Sequence, residues 1–407
     1  MANATELVPW MVALGGAASA AANGVTHICV RRKLRRARPA LREAPAVSIL
    51  KPLRGLDEGL YDNLRSIVHQ DYPGPVQIVL GTTSADDPAL AVALRLRAEH
   101  PDVDMAIVVG RPERARNPKV ANLVGLAEAA KHELLLVSDS NVRVGTDYLT
   151  AVVGELGEPG VGLVANVIAV RDEQGIGAAF EALQLNGFVA SAVCGADELV
   201  RHPCVIGKSM LLRRCELEAL GGWRAFGDVL GEDYVIGRAY ARAGHRVVIS
   251  SYVVPTVGGR WTLARFASRH LRWCQMRRWI APTAYAAEPI LNPAPWWLGA
   301  LWIASTRADA LGVAASSWLG AAVVGVLSSV LRESSHARLL GARTLGIATL
   351  ASVPLKDLAM LGIWMLGWVR RRVAWRGHAY VIGPGSRLEP IGPALELDAV
   401  PAATELR

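Results

Sequence analysis

The apolar residues of this chain gather at its two ends, and that distribution limits what it can fold into. Near the N-terminus LVPWMVALGGAASAAANGVTHICV runs straight into RRKLRR. The run is long enough to cross a bilayer. A signal peptide carries its positive charge before the apolar core, whereas here the charge follows it. A retained signal-anchor is therefore expected over residues 1–36, with Arg31–Arg36 on the cytoplasmic side. Three apolar stretches occupy the C-terminal third. The first, around Ile290–Ala304, holds two prolines and Trp296-Trp297, which suits an interfacial or re-entrant helix over 286–306. The second, Ala310–Leu331, and the third, Thr344–Val369, are span candidates, although Pro354, Lys356 and Asp357 interrupt the third. If only these two cross, RRRVAWRGH returns to the cytoplasm and the charge rule holds. Three spans are thus expected, with transmembrane helices over 310–370 and a cytosolic tail over 371–407. Lys356 and Asp357 read either as functional charges at membrane depth or as an ion pair where the helix begins.

Between the ends lies a polar middle, residues 45–285. AVSIL (46–50), VQIVLG (76–81), AIVVG (106–110) and LLLVSD (134–139) read as buried strands, alternating with helical Asp57–Gln70 and Asp87–His100. That alternation predicts an α/β domain with a mostly parallel sheet and ligands beyond the strand C-termini. No GxGxxG or GxxxxGK[ST] follows a strand, so neither a dinucleotide fingerprint nor a P-loop is indicated. The net charge of +8 and pI of about 9.5 suit an anionic substrate or anionic lipid. Nucleic acid is not expected as a partner, because no basic stripe interleaves with stacking aromatics. The five cysteines include no CxxC pair, which argues against a disulfide framework or zinc site and fits a reduced, cytosol-facing domain.

Several residues stand where chemistry could occur. Asp139 ends the LLLVSD strand, where a carboxylate suits a divalent metal, with Ser140 and Asn141 as further oxygen donors. The same Asp-Ser-Asn also reads as an ordinary turn. Glu232-Asp233 open the helical EDYVIGRAYARAG and could be simple helix-start acids. NPKVANL (117–123) offers Lys119 and two amides, one of them Asn122. RHLRWCQMRRW (269–279) packs four arginines and two tryptophans into one stretch, suited to a diphosphate or to membrane headgroups.

The order of these motifs resembles the family-2-like inverting glycosyltransferases of the GT-A fold, and within them the ceramide glucosyltransferase family. VSILKPLRGLDEGLYDNL (47–64), ADDPAL (85–90), NPKVANL, SDS (138–140), VIGKSMLLRRCELEALGG (205–222), GEDY (231–234) and RHLRW (269–273) follow in the family's sequence, the last as its (Q/R)xxRW signature. PLKDL and WRGHAY near the end are also similar. QMRRW (275–279) fits the same signature, but RHLRW stands at the family's distance from GEDY.

The resemblance implies a GT-A nucleotide-sugar-binding domain over 45–285 with Mg or Mn held on the diphosphate by Asp139. It implies Asp233 as general base beside Glu232, and Arg272 and Trp273 at the diphosphate and transfer site. It implies substrate contacts from Lys51, Pro52, Asp86, Asp87, Lys119, Asn122, Lys208 and Arg269. Arg277, Arg278 and Trp279 read instead as an interfacial anchor. One position departs from the pattern: the aspartate expected at the uridine is Ser84, with Asp86 and Asp87 as the nearby acids.

These parts suit one reaction. A carboxylate takes the proton of an alcohol as it attacks the anomeric carbon. A divalent cation and a guanidinium stabilise the departing UDP. The function implied is transfer of glucose from UDP-glucose to the primary hydroxyl of ceramide, with inversion, by an integral membrane protein at the cytoplasmic face of a bilayer. An Ala/Arg-rich composition points to a bacterial inner membrane, a Golgi membrane being the eukaryotic alternative. The rivals are a UDP-N-acetylglucosamine-dependent transferase acting on a hopanoid or another lipid, a polysaccharide synthase, and a non-catalytic membrane sugar-nucleotide-binding protein. A synthase would need more helices than three spans provide.

Overall fold

A computed structural model of the chain describes residues 4–110, 114–306, 313–342, 345–375 and 378–391. Parts of the expected anchor (1–3), of the second and third apolar stretches (310–312, 344) and of the tail (376–377, 392–407) lie outside them.

The N-terminal apolar run and its basic flank form one helix, α1 (Ala4–Arg35). The polar middle then alternates strand and helix: β1 (Val47–Pro52), α2 (Leu60–Val68), β2 (Val76–Thr82), α3 (Ala89–Glu99), β3 (Met105–Val109), α4 (Pro118–Ala129), β4 (Leu134–Ser138) and α5 (Tyr148–Leu156). β5 (Val161–Gln174) leads into α6 (Ile176–Leu183), a π-helical turn over Gln184–Val189, and α7 (Ala190–Val200). β6 (Ser209–Arg213), α8 (Arg214–Ala219), α9 (Glu232–Arg242), β7 (Arg246–Arg260) and α10 (Leu263–Ile280) complete the domain.

The sheet runs in the order β3-β2-β1-β4-β6-β5-β7. Only β6 is antiparallel to its neighbours, so the sheet is mostly parallel, as expected. Its strands read as unbroken apolar runs because helices cover both faces: β1 and β4 are buried along almost their whole length. One core cluster packs α2, α3 and α5 against the sheet, and a second packs α4, α9 and part of α7.

The C-terminal third departs from expectation in detail. The first apolar stretch divides into α11 (Pro282–Leu291) and α12 (Ala294–Thr306), parted by Asn292-Pro293. The second becomes α13 (Ala315–Leu339). The third is not one helix: it breaks at Ser352 into α14 (Ile347–Ala351) and α15 (Val353–Val369), with Pro354 in the first turn of α15. Among the described residues two helical runs are long and apolar enough to cross a membrane, α13 and Ile176–Val200, the latter largely buried within the protein. The expected spans at α1 and at Thr344–Val369 are not among them. Gly15, Gly16, Asn23 and His27 dilute the first, and Ser352 divides the second.

Two further features were not foreseen. Lys33, in the basic flank read as facing the cytoplasm, is buried, paired with Asp197 and 3.0 Å from Glu198 at the end of α7. Residues 371–375 and 378–391, within the expected cytosolic tail, fold back on the domain. They form a three-stranded antiparallel sheet of β8 (Arg372–Trp375), β9 (His378–Ile382) and β10 (Leu388–Pro390). Val373, Tyr380, Ile382 and Leu388 bury against Leu230 and, on α10, Met276 and Trp279.

Candidate active site

Three chain segments meet where β4 ends. Asp139 follows β4 directly. The register of β4 with β6 pairs Ser138 with Ser209, so Lys208 arrives beside Asp139. From the first turn of α4 comes Lys119, whose backbone N–H is accepted by the N-cap Asn117 Oδ1 at 2.9 Å. Lys119 Nζ lies 2.9 Å from Asp139 Oδ1, and Lys208 Nζ 3.2 Å from Asp139 Oδ2. Lys208 also donates to Asn141 Oδ1 at 2.6 Å. Below them Lys51, wholly buried at the end of β1, donates to the Asp139 carbonyl at 2.8 Å.

The helix-start acids of α9 join this cluster. Lys119 Nζ is 3.3 Å from Glu232 Oε1, and Asn117 Nδ2 donates to Glu232 Oε2 at 3.0 Å. Asp233 Oδ2 accepts from the Gly207 N–H at 2.6 Å, and Oδ1 from Tyr234 N–H at 2.8 Å. A Cβ at Gly207 would come within 2.8 Å of Lys119 Nζ and 3.0 Å of Asp233 Oδ2, so the close approach of this backbone needs glycine.

The two aspartates are driven in opposite directions. Burial pushes Asp233 up to about 6, with the neighbouring Glu232 charge adding to it. Burial also opposes ionisation of Asp139, but Lys119 and Lys208 outweigh it and hold that carboxyl well below the usual range. Lys119 stays firmly protonated despite burial, because Asp139, Glu232 and Asp233 surround it. Burial draws Lys51 down to about 7. One acid is thus fixed as an anion and the other is suited to proton transfer near neutrality.

Among the described residues no three His, Cys, Asp or Glu side chains group together as a metal site. A divalent cation at Asp139 would draw most of its ligands from phosphate oxygens and water, which hard cations accept.

The remaining expected residues lie around this centre. Asp87 is a clamp: its carboxylate accepts from Gly55 N–H at 2.9 and 3.1 Å and from Ala89 N–H at 2.9 Å, tying the loop after β1 to the start of α3. Asp86 and Ser84 are exposed on the loop between β2 and α3, and Pro52 ends β1. Asn122 is buried and donates to Gly81 O at 2.7 Å, a brace between α4 and β2 rather than a surface contact. Arg269, Arg272 and Trp273 lie on α10. Trp273 packs on the domain core with the Arg269 guanidinium 4.6 Å from its ring centre. Arg272 is half-buried.

Arg277 is not a headgroup anchor. It pairs with Glu288 through two contacts, at 2.5 and 3.1 Å, and ties α10 to α11. Arg278 donates to the Trp368 carbonyl, and Trp279 packs on the C-terminal sheet. The sequence reading missed Glu181, which accepts from His270 at 2.7 Å and stands 3.4 Å from Arg269. Its signal was a lone acid in the apolar GIGAAFEALQL. It also missed Ser386, whose Oγ and carbonyl accept from Gly231 N–H (3.1 Å) and Leu230 N–H (2.9 Å), next to Glu232.

The family's sequence profile, described as Glycosyl transferase family 21, matches residues 9–388. The chain belongs to glycosyl transferase family 21. Relatives in the family include ceramide glucosyltransferase 3 of Caenorhabditis elegans, 29% identical over 62% of this chain and 54% of the relative. Another is the ceramide glucosyltransferase of Komagataella phaffii, 26% identical over 65% of this chain and 63% of the relative. The family 21 chain thus aligns with little more than half of each of these relatives. Among solved structures, the mannosyltransferase PcManGT of Pyrobaculum calidifontis, in complex with GDP-Man and Mn2+, is 18% identical with a TM-score of 0.52. The match covers 88% of this chain and 99% of that one, and shows a shared GT-A-like fold. This family 21 member accordingly has a mostly parallel GT-A-like sheet.

Proposed function

We propose that the chain transfers glucose from UDP-glucose to the primary hydroxyl of ceramide, releasing UDP and forming the β-glucoside. The observation that carries this reading is the opposed ionisation of Asp139 and Asp233 around Lys119. Asp233 takes the proton of the attacking hydroxyl, and burial, aided by the Glu232 charge, keeps its pKa high enough to do so. Lys119 and Lys208 set positive charge where the diphosphate would lie. Asp139 would hold Mg or Mn, which supplies Lewis-acid stabilisation to the leaving UDP. Arg272 and Trp273 act on the diphosphate and transfer site from α10. Lys51, Pro52, Asp86, Asp87, Asn122 and Arg269 shape the nucleotide side.

A membrane location is part of the same reading. Large apolar side chains such as Trp10, Leu14, Trp302, Val324, Leu331 and Val369 are exposed on the helices outside the sheet domain. Facing a bilayer, they would bring a lipid hydroxyl to the domain on its cytoplasmic side, at a bacterial inner membrane. The ceramide glucosyltransferase relatives supply the acceptor class, and the donor is argued by the same route.

The test is transfer from radiolabelled UDP-glucose, UDP-galactose or UDP-N-acetylglucosamine to ceramide by the full chain in detergent with Mn or Mg. Wild type should make glucosylceramide, and Asp233→Asn should lose at least about a hundredfold in kcat while still binding donor. Label from another donor would replace the sugar, and no label on ceramide from any donor would sink the acceptor.

A further inference from the structure

The segment that brings Gly207 and Lys208 to the active site has no regular structure of its own. Residues 201–208 run from the end of α7 to the start of β6 as neither helix nor strand. The segment turns off α7 at Arg201, whose φ of 49° is left-handed and uncommon for a residue with a side chain. His202 N–H then closes on the Ala196 carbonyl at 3.0 Å. Beyond this point α9 receives the segment along its length. His202 reaches Tyr234 and Arg238, Val205 lies on Gly237, and Gly207 meets Asp233. These α9 positions are three and four residues apart, so they lie side by side on the helix. A Cβ at Gly237 would come within 2.5 Å of Val205 Cγ2, so glycine there lets the segment lie close.

The far end of this seat admits one hydrogen-bond arrangement. Arg238 Nη1 stands 3.0 Å from His202 Nδ1. A guanidinium only donates, so Nδ1 accepts. The ring proton is then on Nε2, which donates to the Tyr234 hydroxyl at 2.9 Å. Burial and the Arg238 charge hold the imidazole below its ordinary value, in keeping with a neutral ring. The two rings also lie 5.9 Å apart between centres. The proposed reaction uses none of these three side chains.

We propose that His202 is a positioning residue: held between Arg238 and Tyr234, it seats residues 201–208 on α9 and so keeps the Gly207 N–H on Asp233 and Lys208 beside Asp139. The consequence for catalysis rests on the reading of Asp233 as general base. Burial and the Glu232 charge favour the protonated form of Asp233, whereas Lys119 and the N–H groups of Gly207 and Tyr234 favour the carboxylate. The Cys204 thiol also lies within reach of this charge. A segment that lifts from α9 takes the Gly207 N–H with it, and Asp233 then keeps its proton to higher pH.

The experiment compares full-length wild type, His202→Ala and His202→Gln in detergent. A glutamine accepts from Arg238 through its carbonyl and donates to Tyr234 through its amide, so it copies the neutral ring. One readout is the pH profile of kcat/KM for sugar transfer to ceramide. The other, which needs no substrate, is amide hydrogen exchange over residues 204–208. His202→Ala should move the acid limb up by about one pH unit and speed the exchange about tenfold. His202→Gln should leave both near wild type. Arg238→Met combined with Tyr234→Phe strips His202 of both partners and reads the same limb where His202→Ala does not fold. Unchanged exchange in the alanine variant would overturn the proposal, and so would equal effects of alanine and glutamine. Faster exchange with an unmoved limb would overturn the link to Asp233. The expected exchange in a chain that transfers no sugar would keep the seat and overturn the reading of the reaction.

Discussion

Gly207 stands between the two halves of the active site, with its N–H on Asp233 and its carbonyl 2.9 Å from Lys119 Nζ. Gly207→Ala should therefore lower kcat at least tenfold with the fold retained, a cost of about 1–2 kcal/mol by circular dichroism melting. The raised Asp233 pKa makes a second prediction. The group accepts a proton only when ionised, so kcat/KM should rise from the acid side through about pH 6 and then level. The native state holds that proton more tightly than the unfolded chain, whose value is near 3.8, so this group costs stability as pH climbs from about 4 to about 6. Asp233→Asn should accordingly raise the Tm at pH 8 and not at pH 4. At this scale the sequence was partly legible. Asp139, Lys119 and Glu232-Asp233 each stood out as residue types in suggestive places. Their meeting did not, because it depends on the antiparallel entry of β6, which sets Lys208 beside Asp139.

The elements that were legible are those whose burial is uniform. β1, β2 and β4 could be read because both faces of each strand are covered, which leaves continuous apolar runs. The helical run Ile176–Val200 was not read, since its apolar length looks the same whether protein or lipid covers it. RHLRWCQMRRW suits two functions by composition, yet α10 uses its second half for internal joints. Breaking one of these, Arg277→Ala, strands Glu288 in a mostly buried place. It should cost about 2–3 kcal/mol and loosen α11, seen as faster amide exchange over 282–291. Ser386→Ala removes the acceptor of the Gly231 N–H, costs about 1–3 kcal/mol, and should lower kcat more than it raises the donor KM.

Across the whole molecule, the helical segments and the sheet domain are interlocked rather than strung in series. α1 packs on α7, α11, α12 and α13, and α10 packs on α15. Cutting the sheet domain away from its flanking helices, as a fragment of residues 45–285, should yield an aggregating chain by size-exclusion chromatography, because the apolar faces of α7 and α10 would be bared. Hydropathy could show that the ends are apolar. It could not show that Lys33 serves an internal ion pair or that residues 371–391 fold back, because both depend on contacts distant in sequence.

That fold-back has a bearing on how the protein is made. A ribosome delivers Asp139, Lys208 and Asp233 long before β10, whose Leu388 N–H closes on the Asp228 carbonyl at 2.7 Å. While synthesis continues, the nascent chain carries the acids and lysines of the candidate site, but the loop leading into Glu232 is still untied. The strand that fastens it emerges after α13 and α15, so this loop can be tied only once those helices have been made.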